Sequence, residues 1–203
     1  METTLDSVIK AYSGPFEQGG FTPAGVLWQS DAVMQMAHDK LLQILPPNRK
    51  AFSALDFGCG YGSLVPRLEQ AGMHQYVGVD ITPVILQACR ARYPHYRFTP
   101  SLEGTMEVDY GFVCGTFNLK AEVPDSEWAR MVRSSLRKLD RMCRKGLAFN
   151  CFSPTPDWKR EQLWYPASMN ELLSCVSGDV EVLQGYGPDG HDIKQVTVLV
   201  HKQ

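Results

Sequence analysis

The ten residues LDFGCGYGSL, from Leu55 to Leu64, constrain this chain more than any other stretch. An apolar run through Phe52, Ala54 and Leu55 leads into Asp56, and Gly58, Gly60 and Gly62 follow at every second position. Strand, glycine turn and helix in that order is how a parallel sheet binds a nucleoside at its carboxyl edge. Glycine lets the turn tighten and lets a ligand approach the backbone with no Cβ in the way. The dinucleotide fingerprint G-x-G-x-x-G would need glycine at position 63, where the chain has Ser63, and no phosphate loop G-x-x-x-x-G-K-[ST] occurs. A carboxylate just ahead of the turn repels a pyrophosphate and suits a cation. Asp80 closes the apolar run QYVGVD 18 residues beyond Gly62, near the spacing of about 20 for an acid that takes ribose hydroxyls.

The rest of the chain alternates strand and helix. Strands are predicted over 51–57, 75–80, 96–99, 108–114 and 146–152, with helices over 63–70, 82–92, 125–145 and 166–176. Two further strands, 181–183 and 195–201, are joined by too few residues for a crossover helix, so that pair should be antiparallel. The expectation is an α/β, Rossmann-like, doubly wound sheet of seven strands, the last antiparallel, with helices on both faces. Residues 1–203 read as a single domain, with a turn-rich N-terminal flap over 1–29, a covering helix over 30–45 and the core over 51–203. In the 125–145 helix, Trp128, Val132, Leu136, Leu139 and Cys143 share one face, and five arginines between Arg130 and Arg144 share the other. The basic face reads as a solvated helix back.

A net charge of −2 provides no basic field for nucleic acid or an anionic membrane. No apolar window reaches the roughly 18 residues of a membrane span, and METTLDSVIK lacks a signal-type core, so a cytoplasmic protein is expected. The six cysteines include no C-x-x-C pair, so a metal site is not expected and the thiols read as small buried hydrophobes.

LDFGCGYG and YVGVDITP together resemble the first and second motifs of the class I S-adenosylmethionine-dependent methyltransferases, and DYGFVCGTFNLK stands in the place of the fourth. The likeness spans residues 30–202, and GVLW, CGTFNLK and GLAFNCFS are similar to a subgroup of small bacterial enzymes. It implies S-adenosylmethionine as cofactor. Asp56, through the loop, would help hold the ammonium, with the backbone of Gly58, Cys59, Gly60 and Tyr61 along the methionine part. Asp80 would take the ribose and Ile81 lie against the adenine. Ser101 and Leu102 are the candidates for the adenine edge, although FTPSLEGTME lacks the common Gly-Asp there. Cys114, Gly115 and Thr116 would pass the sulfonium side.

Methyl transfer needs alignment and exclusion of water more than a metal or a triad. Tyr12, Asn118 and His191 are the candidate catalytic residues, with Trp28 as an aromatic face over the sulfonium. Each also has a plain structural reading, as an anchor to the core, a backbone partner or a turn residue. The small acceptor-binding equipment favours a small-molecule substrate. Two alternatives remain: an enzyme of the same fold that cyclises the cofactor's own aminobutyrate chain, and a non-catalytic binding protein.

Overall fold

The computed structural model describes residues 5–48, 50–154, 159–184 and 195–202. Seven strands form one sheet in the order β3-β2-β1-β4-β5-β7-β6. They are β1 (Phe52–Phe57), β2 (Met73–Val79), β3 (Arg97–Thr99), β4 (Val108–Val113), β5 (Cys143–Phe152), β6 (Asp179–Gln184) and β7 (Gln195–His201). The first five pair in parallel, and β7 runs antiparallel to both β5 and β6. The chain starts in the middle of the sheet, winds out to β3 and returns to β4 on the other side of β1. The order therefore reverses between β1 and β4, where open α/β sheets form their crevice.

Alternate residues of each strand face opposite layers. Phe52, Ala54, Phe112 and Ala148 point to the layer filled by α2 (Asp31–Leu42), α3 (Val65–Gln70) and α4 (Pro83–Arg92), through side chains such as Met34, Leu68 and Ile85. Leu55, Val113, Leu147 and Phe149 point to the layer of α5 (Asp125–Met142) and α6 (Met169–Leu173), through Val132, Leu136 and Leu172. Ser30 starts α2, its hydroxyl accepting the Val33 N–H at 3.3 Å. On the basic side of α5, Arg133 pairs with Glu171 and Arg130 with Glu127 at 3.7 Å; the helix ends at Met142, so Arg144 falls in β5 and pairs with Asp109 at 3.1 Å.

The turn-rich reading of the first residues is corrected by α1 (Asp6–Gly19), a 14-residue helix that passes through Gly14 and Pro15. Proline there removes one intrahelical hydrogen bond and costs about 3 kcal/mol in a helix interior. The offsetting gain is burial of Val8 and Phe16, which with Tyr12 recur every four residues and face the domain. Gly20, at a positive φ of 57°, ends the helix by donating to the Phe16 carbonyl at 2.7 Å. Phe16 meets Phe21 edge-on, Phe21 meets Tyr61 at 6.0 Å, and the Arg92 guanidinium lies 4.5 Å over the Phe21 ring. These aromatic contacts fasten the N-terminal segment to α4 and the glycine loop.

Leu136 is fully enclosed between α5 and the sheet. Leu136→Ala should lower the unfolding free energy by about 2–5 kcal/mol with an unchanged urea dependence, measured by denaturation monitored through circular dichroism.

Candidate functional site

The turn after β1 carries three glycines in left-handed conformations, with φ of 77° at Gly58, 50° at Gly60 and 76° at Gly62. Two hydrogen bonds tie it to β2: the Gly58 and Cys59 N–H groups both donate to the Val79 carbonyl, at 2.7 and 3.0 Å. A Cβ on Gly58 would lie 2.1 Å from the Thr116 hydroxyl, so glycine is required for the loop to pass β4's exit. Thr116 in turn donates to the Phe57 carbonyl at 2.7 Å. On the other side of the exit, Gly115 donates to the Asn150 amide oxygen at 2.6 Å and packs against the Trp28 ring.

Asp80 ends β2 with both carboxylate oxygens engaged by backbone. Oδ2 accepts the Gly60 N–H at 3.0 Å and Oδ1 the Thr82 N–H at 2.8 Å. A carboxylate oxygen can accept more than one hydrogen bond. Burial raises the Asp80 carboxyl, and its backbone hydrogen bonds oppose that. Asp56 is buried beneath the loop and accepts the Tyr76 hydroxyl at 2.9 Å. Burial pushes its carboxyl up to about 7, against the Tyr76 hydrogen bond and with a further push from Asp80.

A cavity of about 970 Å³ opens over this edge. Asp56, Gly58, Cys59, Gly60, Asp80 and Ile81 line one part of it, and Cys114, Gly115, Thr116 and Asn118 another. Tyr12 and Trp28 join the same cavity from the N-terminal segment. Burial and the Asp80 charge raise the Tyr12 phenol above its usual range. Asn118 is 9% exposed, and its amide oxygen has no hydrogen-bond partner among the described residues. Three sequence candidates stand elsewhere. Tyr61 turns its ring into the layer under α2, its hydroxyl 3.7 Å from the Met34 sulfur. Leu102 packs in the opposite layer, and the Ser101 hydroxyl accepts the Glu103 N–H at 3.3 Å. Pro100 reaches the cavity instead. His191 lies outside the described residues, as does its neighbour Asp192.

Sequence reasoning missed the wall that α1 and α5 supply, where Leu5, Val8, Met131 and Ser135 face the cavity. It also missed His38, a lone polar residue in the apolar stripe of Met34, Ala37 and Leu41. Cys59 and Cys114 are held as neutral thiols, Cys59 by the neighbouring Cys89 thiol and burial, Cys114 by burial, and the Cys59 and Cys89 thiols both donate to the Gly60 carbonyl, at 3.6 and 3.1 Å. Neither is a poised nucleophile.

The switch-point crevice, the glycine turn and the acid ending the second strand define an open α/β domain of the nucleoside-binding class. The chain belongs to the class I methyltransferase family. Residues 54–142 match the family described as "Methyltransferase domain". The chain is 31% identical over 160 residues to the Mycobacterium tuberculosis (strain H37Rv) protein Rv1506c, whose own methyltransferase designation is provisional; the match covers 74% of this chain and 93% of that protein. Its fold is similar to magnesium protoporphyrin IX methyltransferase (ChlM) from Synechocystis PCC 6803 with bound SAM, with a TM-score of 0.69 at 14% identity over 100% of this chain and 99% of the other. It is equally similar to the N-methyltransferase NodS from Bradyrhizobium japonicum WM9 in complex with S-adenosyl-L-homocysteine, with a TM-score of 0.69 at 14% identity over 99% of each chain. No helix among the described residues is long and apolar enough to cross a membrane.

A group whose folded pKa lies above its unfolded value of 3.8, as at Asp56, keeps a proton in the fold that the unfolded chain releases. The wild type therefore loses stability as pH rises from 3.8 towards about 7. Asp56→Asn should lack that part of the loss, so the variant's unfolding free energy should fall less between about pH 5 and about pH 8, as measured by urea denaturation at both values.

Proposed function

We propose that the chain transfers a methyl group from S-adenosylmethionine to a small molecule seated beside Asn118. The observation that carries this is the continuity of the cavity: at about 970 Å³ it lies at the upper end of the roughly 300–1,000 Å³ range of ligand sites. A nucleoside at the glycine loop leaves room for a second molecule against Phe117, Trp128, Phe152 and Leu163.

The residues present fit the cofactor. Gly58 and Gly60 offer backbone with no Cβ, and the Asp80 oxygens can also accept two ribose hydroxyls. Asp56 would sit beneath the ammonium end, Ile81 and Pro100 beside the adenine, and Cys114 to Thr116 along the sulfonium. Trp28, packed on Gly115, would turn an aromatic face toward that charge. Tyr61, Ser101 and Leu102 are not assigned to the cofactor. When bound, the cofactor supplies a methyl carbon activated by a positive sulfur.

The chain's own residues align and dehydrate. Tyr12, kept protonated, donates from its phenol and is no base. The unpartnered Asn118 amide oxygen accepts a hydrogen bond from an N–H or O–H of the acceptor and so orients its lone pair. Apolar walls keep water from competing. Six free thiols suit the reducing cytoplasm.

Incubation with S-adenosylmethionine alone, followed by mass spectrometry, should leave the cofactor intact, and S-adenosylhomocysteine should appear once a small-metabolite extract is added. Methylthioadenosine formed without any acceptor would overturn transfer in favour of cyclisation or elimination.

A further inference from the structure

Within the apolar inner face of α2 stands His38, 2% exposed among Met34, Ala37 and Leu41. A neutral imidazole carries one donor and one acceptor, and burial without partners is costly. Yet among the described residues Nδ1 has no hydrogen-bond partner, and Nε2 meets the Ser63 hydroxyl at 3.5 Å, the outer edge of a hydrogen bond. His38 and Ser63 both line the cavity, and Ser63 immediately follows the glycine loop. Gln29 and Val33 line the same cavity from the start of α2. The polar capacity of the ring is therefore unspent beside the loop.

The surrounding charges explain its state. Arg67 approaches from α3, and Asp39 and Asp31 lie on α2 itself. Arg67 is committed to Asp39 and to the Gln35 amide oxygen at 3.0 Å. Burial first, then Arg67, hold the imidazole down at about 4. An imidazole and a hydroxyl side by side are two donors for one anionic group, and a carboxylate would make both hydrogen bonds charge-assisted. Asp56, under the same loop, is the complementary acid.

We propose that His38, together with Ser63, receives the carboxylate of the amino-acid chain of the ligand held at the glycine loop, while Asp56 faces its ammonium. The two ends make a clamp for a zwitterion. This rests on the cofactor reading above and adds to it a positioning residue that discriminates ligands bearing an amino-acid tail from ligands without one. The arriving carboxylate stabilises the imidazolium, so the ring takes up a proton when the tail is seated.

The test compares two probes by calorimetric titration: S-adenosylhomocysteine, which has the tail, and methylthioadenosine, which lacks it. His38→Leu should weaken S-adenosylhomocysteine about ten- to hundredfold and leave methylthioadenosine within about twofold. His38→Gln, which keeps a donor, should recover part of that loss and guards against a variant that fails to fold. In the wild type, the imidazole titration midpoint followed by NMR should climb from about 4 on addition of S-adenosylhomocysteine and stay put with methylthioadenosine. Equal weakening of both probes, or none for either, would overturn the role of His38 while leaving the cofactor reading intact. Failure of the wild type to bind S-adenosylhomocysteine would overturn both.

Discussion

The site depends on one close approach, that of the Gly58 backbone to Thr116. The turn leaving β1 bonds to β2 through the Val79 carbonyl and touches β4 through the Thr116 side chain, which itself returns a hydrogen bond to Phe57. Three strand ends are thus locked at the point where the winding order reverses. Any side chain at position 58 would overlap Thr116 and also face the strain of a φ near 77°. The crevice, the placement of Asp80 and the path of Gly115 toward Trp28 all follow from that contact.

On this frame the chain buries two acids, Asp56 and Asp80, whose ionised forms are disfavoured by burial, with Asp80 adding to the shift at Asp56. Such an arrangement costs stability in the empty protein and is relieved by a ligand that brings positive charge. Backbone donors from Gly60 and Thr82 offset part of the cost at Asp80, and Tyr76 part of it at Asp56. A carboxylate buried ahead of the glycines would repel a pyrophosphate, which separates this turn from a pyrophosphate cradle.

Most of the frame was legible because its signals are local. Short continuous apolar runs located the strands, the short link before residue 195 set β7 antiparallel, and Trp128, Val132, Leu136 and Leu139 marked the buried face of α5. The glycine loop and Asp80 were readable from spacing alone. What was missed depends on tertiary context. Gly14 and Pro15 signalled a turn, yet burial of Val8 and Phe16 carries α1 through them. Leu102 went to the core and Pro100 to the cavity, a shift of two residues that no pattern in FTPSLEGTME encodes. The cavity side of Met131 and Ser135 depends on where α1 lies. His38 left one faint mark, a polar residue in an apolar stripe.

A nucleoside held by Asp80 beside the glycine loop is what the proposed function requires. Asp80→Asn keeps the shape but sets an amide N–H against a backbone donor at Gly60 or Thr82, and it removes the charge that ribose hydroxyls would meet. The dissociation constant of S-adenosylhomocysteine should be in the micromolar range for the wild type, with one site per chain, and should rise at least about tenfold in the variant. Equal affinity for the two proteins would contradict it.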